Sequence, residues 1–199
     1  MKNRMLTQVL TGLFLLCATH AVSALEYKSL IGRWQMDYSK TLGMDPLQLF
    51  RICGTTEYFP NNQSRSLLEV HVYQAESETD YGSHLVAILK DTSNEVLSGS
   101  ILRSTSVSPS YEVKRFSLIV DGESLTRDKL PASQQDVYDQ QLKTLKEGFL
   151  DDLVKPGEVT EAEILFSNHR LLVTETKAED GEQFIVSFHQ TTELVGECK

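Results

Sequence analysis

Leu30-Ile31-Gly32-Arg33-Trp34-Gln35-Met36-Asp37-Tyr38 is the stretch on which the fold turns. From Ile31 to Tyr38 the side chains alternate, with Trp34, Met36 and Tyr38 on one face and Arg33, Gln35 and Asp37 on the other. That is the period of a half-buried strand. The same signature recurs downstream. Residues 55–59 and 67–73 read as strands around the turn Pro60-Asn61-Asn62, and residues 84–90, 100–104 and 112–120 follow, the last closed by the hairpin dipeptide Asp121-Gly122. Further on, residues 163–166, 171–177 and 183–191 form a meander, separated by Ser167-Asn168-His169 and Glu179-Asp180-Gly181. Two segments depart from the pattern. Asp45-Pro46 looks like an N-cap followed by a first-turn proline, opening a short helix through Leu47 and Phe50. Residues 133–154 carry Tyr138, Leu142, Leu145, Phe149, Leu150 and Leu153 at helical spacing, with Ser133 as N-cap and Lys155-Pro156-Gly157 as the stop. The expected fold is mainly β with one long α-helix: an antiparallel meander barrel, its helix packed outside or across one end.

The opening strand resembles the Gly-x-Trp strand of the calycin superfamily, the lipocalins and fatty-acid-binding proteins, through Gly32 and Trp34. Thr79-Asp80-Tyr81 matches a lipocalin motif letter for letter, but only about two strands after Trp34, whereas the family places it late in the barrel. The resemblance therefore rests on residues 30–38 and the overall pattern, which is also that of exported bacterial lipocalin-like domains. It implies that Gly32 allows close approach at the barrel floor, that Trp34 plugs the closed end, and that Arg127 packs over the Trp34 ring. If eight to ten such strands close, alternate residues face one interior that is either filled or holds one small ligand. The alternation nominates Met36, Tyr38, Leu68, Val70, Val72, Phe184, Val186 and Phe188 for that lining.

Upstream of the decisive strand, Lys2 and Arg4 precede an apolar stretch from Leu6 to Cys17 and a polar segment ending Val22-Ser23-Ala24. Those are the three regions of a secretory signal peptide with cleavage near Ala24. Leu16 before Cys17 argues against lipid modification of that cysteine. The expected organisation is a signal at 1–24 and one domain at 25–199, placed in the periplasm or secreted. No second apolar run is long enough for a membrane span. Cleavage removes two cations and no acid, so the remainder is more acidic than the full chain's net −9. That sign disfavours nucleic acid as a partner. Cys53 and Cys198 survive cleavage, and in an oxidising compartment an isolated pair is a disulfide candidate.

Catalytic signatures are missing: there is no Gly-x-Ser-x-Gly elbow, no His-Glu-x-x-His and no phosphate-binding glycine loop. His71, His84, His169 and His189 are scattered without metal-ligand spacing. Asp151-Asp152 and Glu179-Asp180 read as solvated helix-end and turn charges, and Asn62-Gln63-Ser64 is a formal glycosylation sequon. The expectation is a non-enzymatic binding protein without metal or cofactor, whose partner is a small apolar or amphipathic molecule. The alternative is a cell-envelope interaction module with a filled, ligand-free barrel that docks through an outer surface or its helix.

Overall fold

Strands in which every second side chain is apolar bury that face against one another, and hairpin-linked strands do so most simply by closing into a ring. The computed structural model describes residues 25–44, 47–77, 81–153, 155–177, 183–193 and 198. Residues 1–24, Asp45-Pro46, Thr79-Asp80 and the turn at 179–181 lie outside the described residues. The strands are β1 (Gly32–Met44), β2 (Leu47–Phe59), β3 (Gln63–Gln74), β4 (Gly82–Ser98), β5 (Ile101–Ser106), β6 (Ser110–Val120), β7 (Glu123–Leu125), β8 (Val159–Ser167), β9 (Leu171–Lys177) and β10 (Gln183–Thr191). All their pairings are antiparallel. The ring runs β1-β2-β3-β4-β5-β8-β9-β10, and β10 returns to β1 with Trp34 opposite Gln190 and Met36 opposite Phe188. The result is a closed eight-stranded barrel.

β6 and β7 are an excursion from that ring. β4 is 17 residues long; residues 93–98 pair with β5, whereas residues 82–90 pair with β6. β5 and β6 are thus consecutive partners along one edge, broken at Val107-Ser108-Pro109, where Pro109 has no N–H to give to a ladder. Asp121 and Gly122 both adopt positive φ, the conformation of the tight hairpin turn expected there. After β7 comes α1 (Ala132–Leu145), continued by a wide π-type turn at Lys146–Leu150 and a last turn at Asp151–Leu153. The chain rejoins the ring where it left: the Ser106 N–H donates to the Glu158 carbonyl at 2.9 Å, and the Gly157 N–H to the Ser106 carbonyl at 2.8 Å.

The apolar stripe of the helix covers the inner face of the flared end. Tyr138, Leu142, Leu145, Phe149 and Leu150 pack on Val70, Val72, Leu85, Ala87, Leu89, Phe116 and Leu118. Tyr138 stacks edge-on to Phe116 at 4.8 Å and donates its hydroxyl to the Phe116 carbonyl at 3.0 Å; Phe149 meets Phe50 at 5.6 Å. Only Leu153, at the end of the stripe, stays exposed.

Three expectations need correction. Leu47 to Phe50 are the first residues of β2, not a helix, because Gln48, Leu49 and Phe50 are held in ladder register by Gly43, Thr41 and Lys40 of β1. The N-cap position of α1 is Pro131, with no side-chain cap; Ser133 sits inside the first turn, and the Gln134 N–H bonds to the Pro131 carbonyl at 2.9 Å. Arg127 does not cover Trp34. Its guanidinium lies at the surface in a forked contact with Asp139 of α1, at 2.9–3.1 Å.

One glycine is fixed by contact as well as by conformation. Gly54 has φ +146, and a Cβ there would lie 2.2 Å from the Leu67 carbonyl oxygen and 2.8 Å from the Leu68 Cα, both main-chain atoms of β3. Gly54→Ala must therefore push β2 and β3 apart, and we expect a loss of about 3 kcal/mol or more, at the top of the overpacking range. Urea unfolding midpoints of the two proteins check this; an unchanged midpoint would mean that the strands are not paired in this register.

Candidate functional site

Register decides which side chains line the barrel, because residues opposite one another on paired strands share a face. The floor is apolar and shut. Leu30, Trp34 and Leu172 are fully buried and pack with Tyr58, Leu102 and Ile164, against which Leu25, Tyr27, Leu97 and Phe188 also lie. A short 3-10 turn at Tyr27–Ser29 carries Leu30 under the indole, whose Nε1–H donates to the Leu30 carbonyl at 2.7 Å. Tyr27 donates its hydroxyl to the Gln63 carbonyl at 3.1 Å and sets its ring edge-on to Tyr58. At Gly32 the backbone has φ +130, so this position needs glycine for its conformation; an added Cβ would meet only the end of the Gln190 side chain, at 3.2 Å.

Beside and beyond these residues the lining divides into two chemistries, with Thr56 directly opposite Trp34 and Ser64 opposite Tyr58. β1 and β10 contribute Met36, Tyr38, Phe184, Val186 and Phe188, with Tyr38 and Phe184 in edge-to-face contact and the Lys40 ammonium 4.3 Å from the Phe184 ring centre. On the same face β2, β3, β4 and β5 contribute Thr56, Ser64, Ser66, Asp91, Ser93, Glu95, Ser104 and Ser106. In a ring of eight, β1 stands opposite β5, and β10 opposite β4, so the apolar wall faces the polar one.

The polar wall is internally bonded. Thr56 and Ser66 hydroxyls meet at 2.9 Å; Glu95 accepts from Ser64 and Ser104, each at 2.6 Å; Asp91 accepts from Ser93 at 2.8 Å and Ser106 at 3.0 Å. Glu95 is 3% exposed, and among the described residues no cation pairs with it or with Asp91. Burial raises the Glu95 carboxyl above its ordinary value, the two serine donors oppose the rise, and neighbouring Asp91 adds to it. A carboxyl that holds its proton more tightly when folded opposes folding once pH passes its unfolded value near 4.5. Glu95→Gln is therefore expected to melt higher than the parent at pH 7, with the gap closing as pH falls below that value. Melting curves across pH 3–8 measure it, and a gap independent of pH would contradict the assignment.

Of the eight residues nominated for the lining, all fall on the Trp34 face, but they do two different jobs. Val70 and Val72 are sealed beneath α1 and belong to the helix–sheet core, with Leu68 at its margin. Met36, Tyr38, Phe184 and Val186 are half-buried, as are Ser66, Asp91, Ser104 and Ser106 across from them. Their partial exposure contrasts with the sealed floor residues Leu30, Trp34 and Leu172 and with Ser64, Ser93 and Glu95, which are buried. A groove of about 670 Å³ lies between α1 and the ends of β3 and β4, lined by Gln74, Ser83, Val137, Gln140, Gln141 and Leu145.

On the outer face the structure gathers groups that look scattered in the sequence. Cys53 of β2 and Cys198 form a disulfide pair with Cα atoms 5.5 Å apart, which ties the tail to an early strand. Glu69 lies directly across from Cys53 and accepts from the Cys198 N–H at 3.1 Å. It also bonds His71 Nε2 at 2.7 Å, and His71 Nδ1 meets His84 Nε2 at 3.1 Å with the two rings stacked. Burial pushes the His84 imidazole below its ordinary value, helped by Arg115 and His71. His169 and His189 lie elsewhere and exposed, whereas His71 and His84, which show no metal-ligand spacing in the sequence, meet in the fold. They sit on neighbouring strands in diagonal register, which sequence spacing does not reveal.

Fold and lining together define a class: an antiparallel eight-stranded barrel with one sealed end, a helix across the flared end, and an interior divided between apolar and hydroxyl–carboxylate walls. No protein-family model and no curated protein matches the chain. Among the described residues, no helix is long and apolar enough to cross a membrane.

Proposed function

We propose that the chain is an exported, lipocalin-like carrier of the calycin type that holds one small amphipathic molecule inside its barrel and performs no chemistry on it. The signal-like segment 1–24, cleaved near Ala24, and the Cys53–Cys198 pair support export to the periplasm or beyond. The observation that carries the binding function is the two-sided lining. An apolar tail lies against Met36, Tyr38, Phe184 and Val186, while a donor or cationic head faces the serines, Asp91 and Glu95. Two carboxylates that pair with no cation among the described residues, one of them buried, favour a head group that brings positive charge or several N–H donors.

The test uses the protein from residue 25 onward and N-phenyl-1-naphthylamine as a neutral reporter. Dodecylamine should displace it more strongly than dodecanol or dodecyl sulfate, and Asp91→Asn with Glu95→Gln should remove the preference for the amine. No reporter bound, together with ligand-free native mass spectra, would overturn the carrier function. Equal displacement by all three competitors would overturn the charge assignment alone. The alternative of a docking helix loses its main support, because the apolar stripe of α1 is spent on the sheet.

A further inference from the structure

The outer cluster is more than a disulfide. Cys53, Glu69, His71 and His84 are outward-facing residues on three adjacent strands, and Cys198 is brought to them by the tail. Both sulfurs and a Glu69 carboxylate oxygen lie within 4.8 Å of one another. Cys53 is 3% exposed, and the Glu69 side chain is 13% exposed, so this carboxylate is placed against a sulfur pair with little water around it. A crosslink by itself has no use for that carboxylate, nor for the imidazole bonded to it.

We propose that reduction of the Cys53–Cys198 pair converts this cluster into a site for a thiophilic divalent cation of the zinc type, held by both thiolates, the Glu69 carboxylate and His71 Nε2. Two thiolates with one imidazole and one carboxylate are a donor set that favours tetrahedral zinc over calcium or magnesium. Metal–sulfur bonds of about 2.3 Å and metal–oxygen or –nitrogen bonds of about 2.0–2.2 Å place such ligands roughly 3–4 Å apart. The two sulfurs and the Glu69 oxygen already lie within 4.8 Å of one another, and the His71 ring has to swing in from its contact with Glu69. His71 Nε2 is one hydrogen bond from the carboxylate. When Nε2 turns its lone pair to the metal, the proton of His71 resides on Nδ1 and is donated to His84 Nε2, 3.1 Å away. A ligating histidine needs such an acceptor to fix its tautomer. His84 is thus a positioning residue.

The chemistry balances with a dithiol as reductant. The dithiol closes to its own disulfide and gives two electrons and two protons, which cleave the sulfur–sulfur bond and leave two thiols. The divalent cation then displaces both thiol protons to solvent as two metal–sulfur bonds form, while the carboxylate and imidazole bind through lone pairs. The site lies on the opposite face of the sheet from the barrel lining, so it stands or falls apart from the carrier function.

The experiment uses protein from residue 25 onward, reduced with dithiothreitol and desalted without oxygen, then titrated with cobalt(II). Reduced protein should develop thiolate-to-cobalt charge transfer and tetrahedral ligand-field bands, saturating at one equivalent; the oxidised protein and the Cys53→Ser/Cys198→Ser variant should not. Zinc(II) should raise the melting temperature of the reduced protein and leave the oxidised one unmoved. His84→Phe should weaken cobalt binding about 10–100-fold while keeping the bands, the loss typical of removing a ligand's partner. A reduced protein that shows no thiolate–cobalt absorption, folded or unfolded, overturns the proposal. So does absorption that is indifferent to both Glu69→Gln and His71→Ala, since thiols alone would then be collecting the metal.

Discussion

Replacing Trp34 with alanine is expected to cost about 3–5 kcal/mol, the range for deleting a large aromatic side chain from a packed interior. The ring is fully buried, and the five other buried residues of the floor pack in one cluster with it. The loss has two parts. The void left under the barrel has walls fixed by closed strand pairing, so collapse around it is limited. The Leu30 carbonyl, which receives the indole N–H at 2.7 Å, also loses its donor. Trp34→Phe separates the two by keeping most of the volume and none of the hydrogen bond, and it should fall well short of the alanine variant. Chemical denaturation with a constant slope measures both; a shift below about 1 kcal/mol for Trp34→Ala would place the indole outside the core.

Breaking the Cys53–Cys198 crosslink is expected to be comparably severe. The residues are 145 positions apart, and in the chain-entropy model closing so long a loop in the unfolded state is worth about 5 kcal/mol. That figure is a ceiling, because unfolded-state structure reduces it. Cys53→Ser/Cys198→Ser should therefore melt well below the oxidised parent, by on the order of 10 °C for a chain of this size. Reduced wild-type protein without added metal should melt with the variant. An oxidised parent that melts together with both would show that the tail contributes nothing by being tied down.

Local alternation was enough to locate nearly every strand, since residues such as Trp34, Met36 and Tyr38 declare a two-residue period without help from the rest of the chain. Strand ends were legible only in part. β4 runs past Lys90 to Ser98 through Asp91, Ser93 and Glu95, whose inward side is polar and therefore carries no apolar signal. The same residues explain why half of the lining was missed. Ser64, Ser66, Ser104 and Ser106 look like solvent-facing positions until register shows that they share a face with Trp34. Leu47 to Phe50 misled in the other direction, because Asp45-Pro46 is a good local helix start, and a long-range ladder with β1 overrode it. The Glu69–His71–His84 chain depends on diagonal neighbours across two strands, a relation that no spacing rule in one dimension encodes.

The two backbone hydrogen bonds that join Ser106 to Gly157 and Glu158 have a consequence for how stability is distributed. Because the excursion from 107 to 156 departs and returns on touching peptides, the hoop of eight strands is complete without it. Amide exchange should then sort β4 into two cooperative units despite its unbroken backbone. Protons of residues 82–90 whose carbonyl partners lie on β6 should be released together with α1, and those of 93–98 should persist with the hoop. The cover can loosen at its own, lower free energy while the hoop beneath it keeps its circumference.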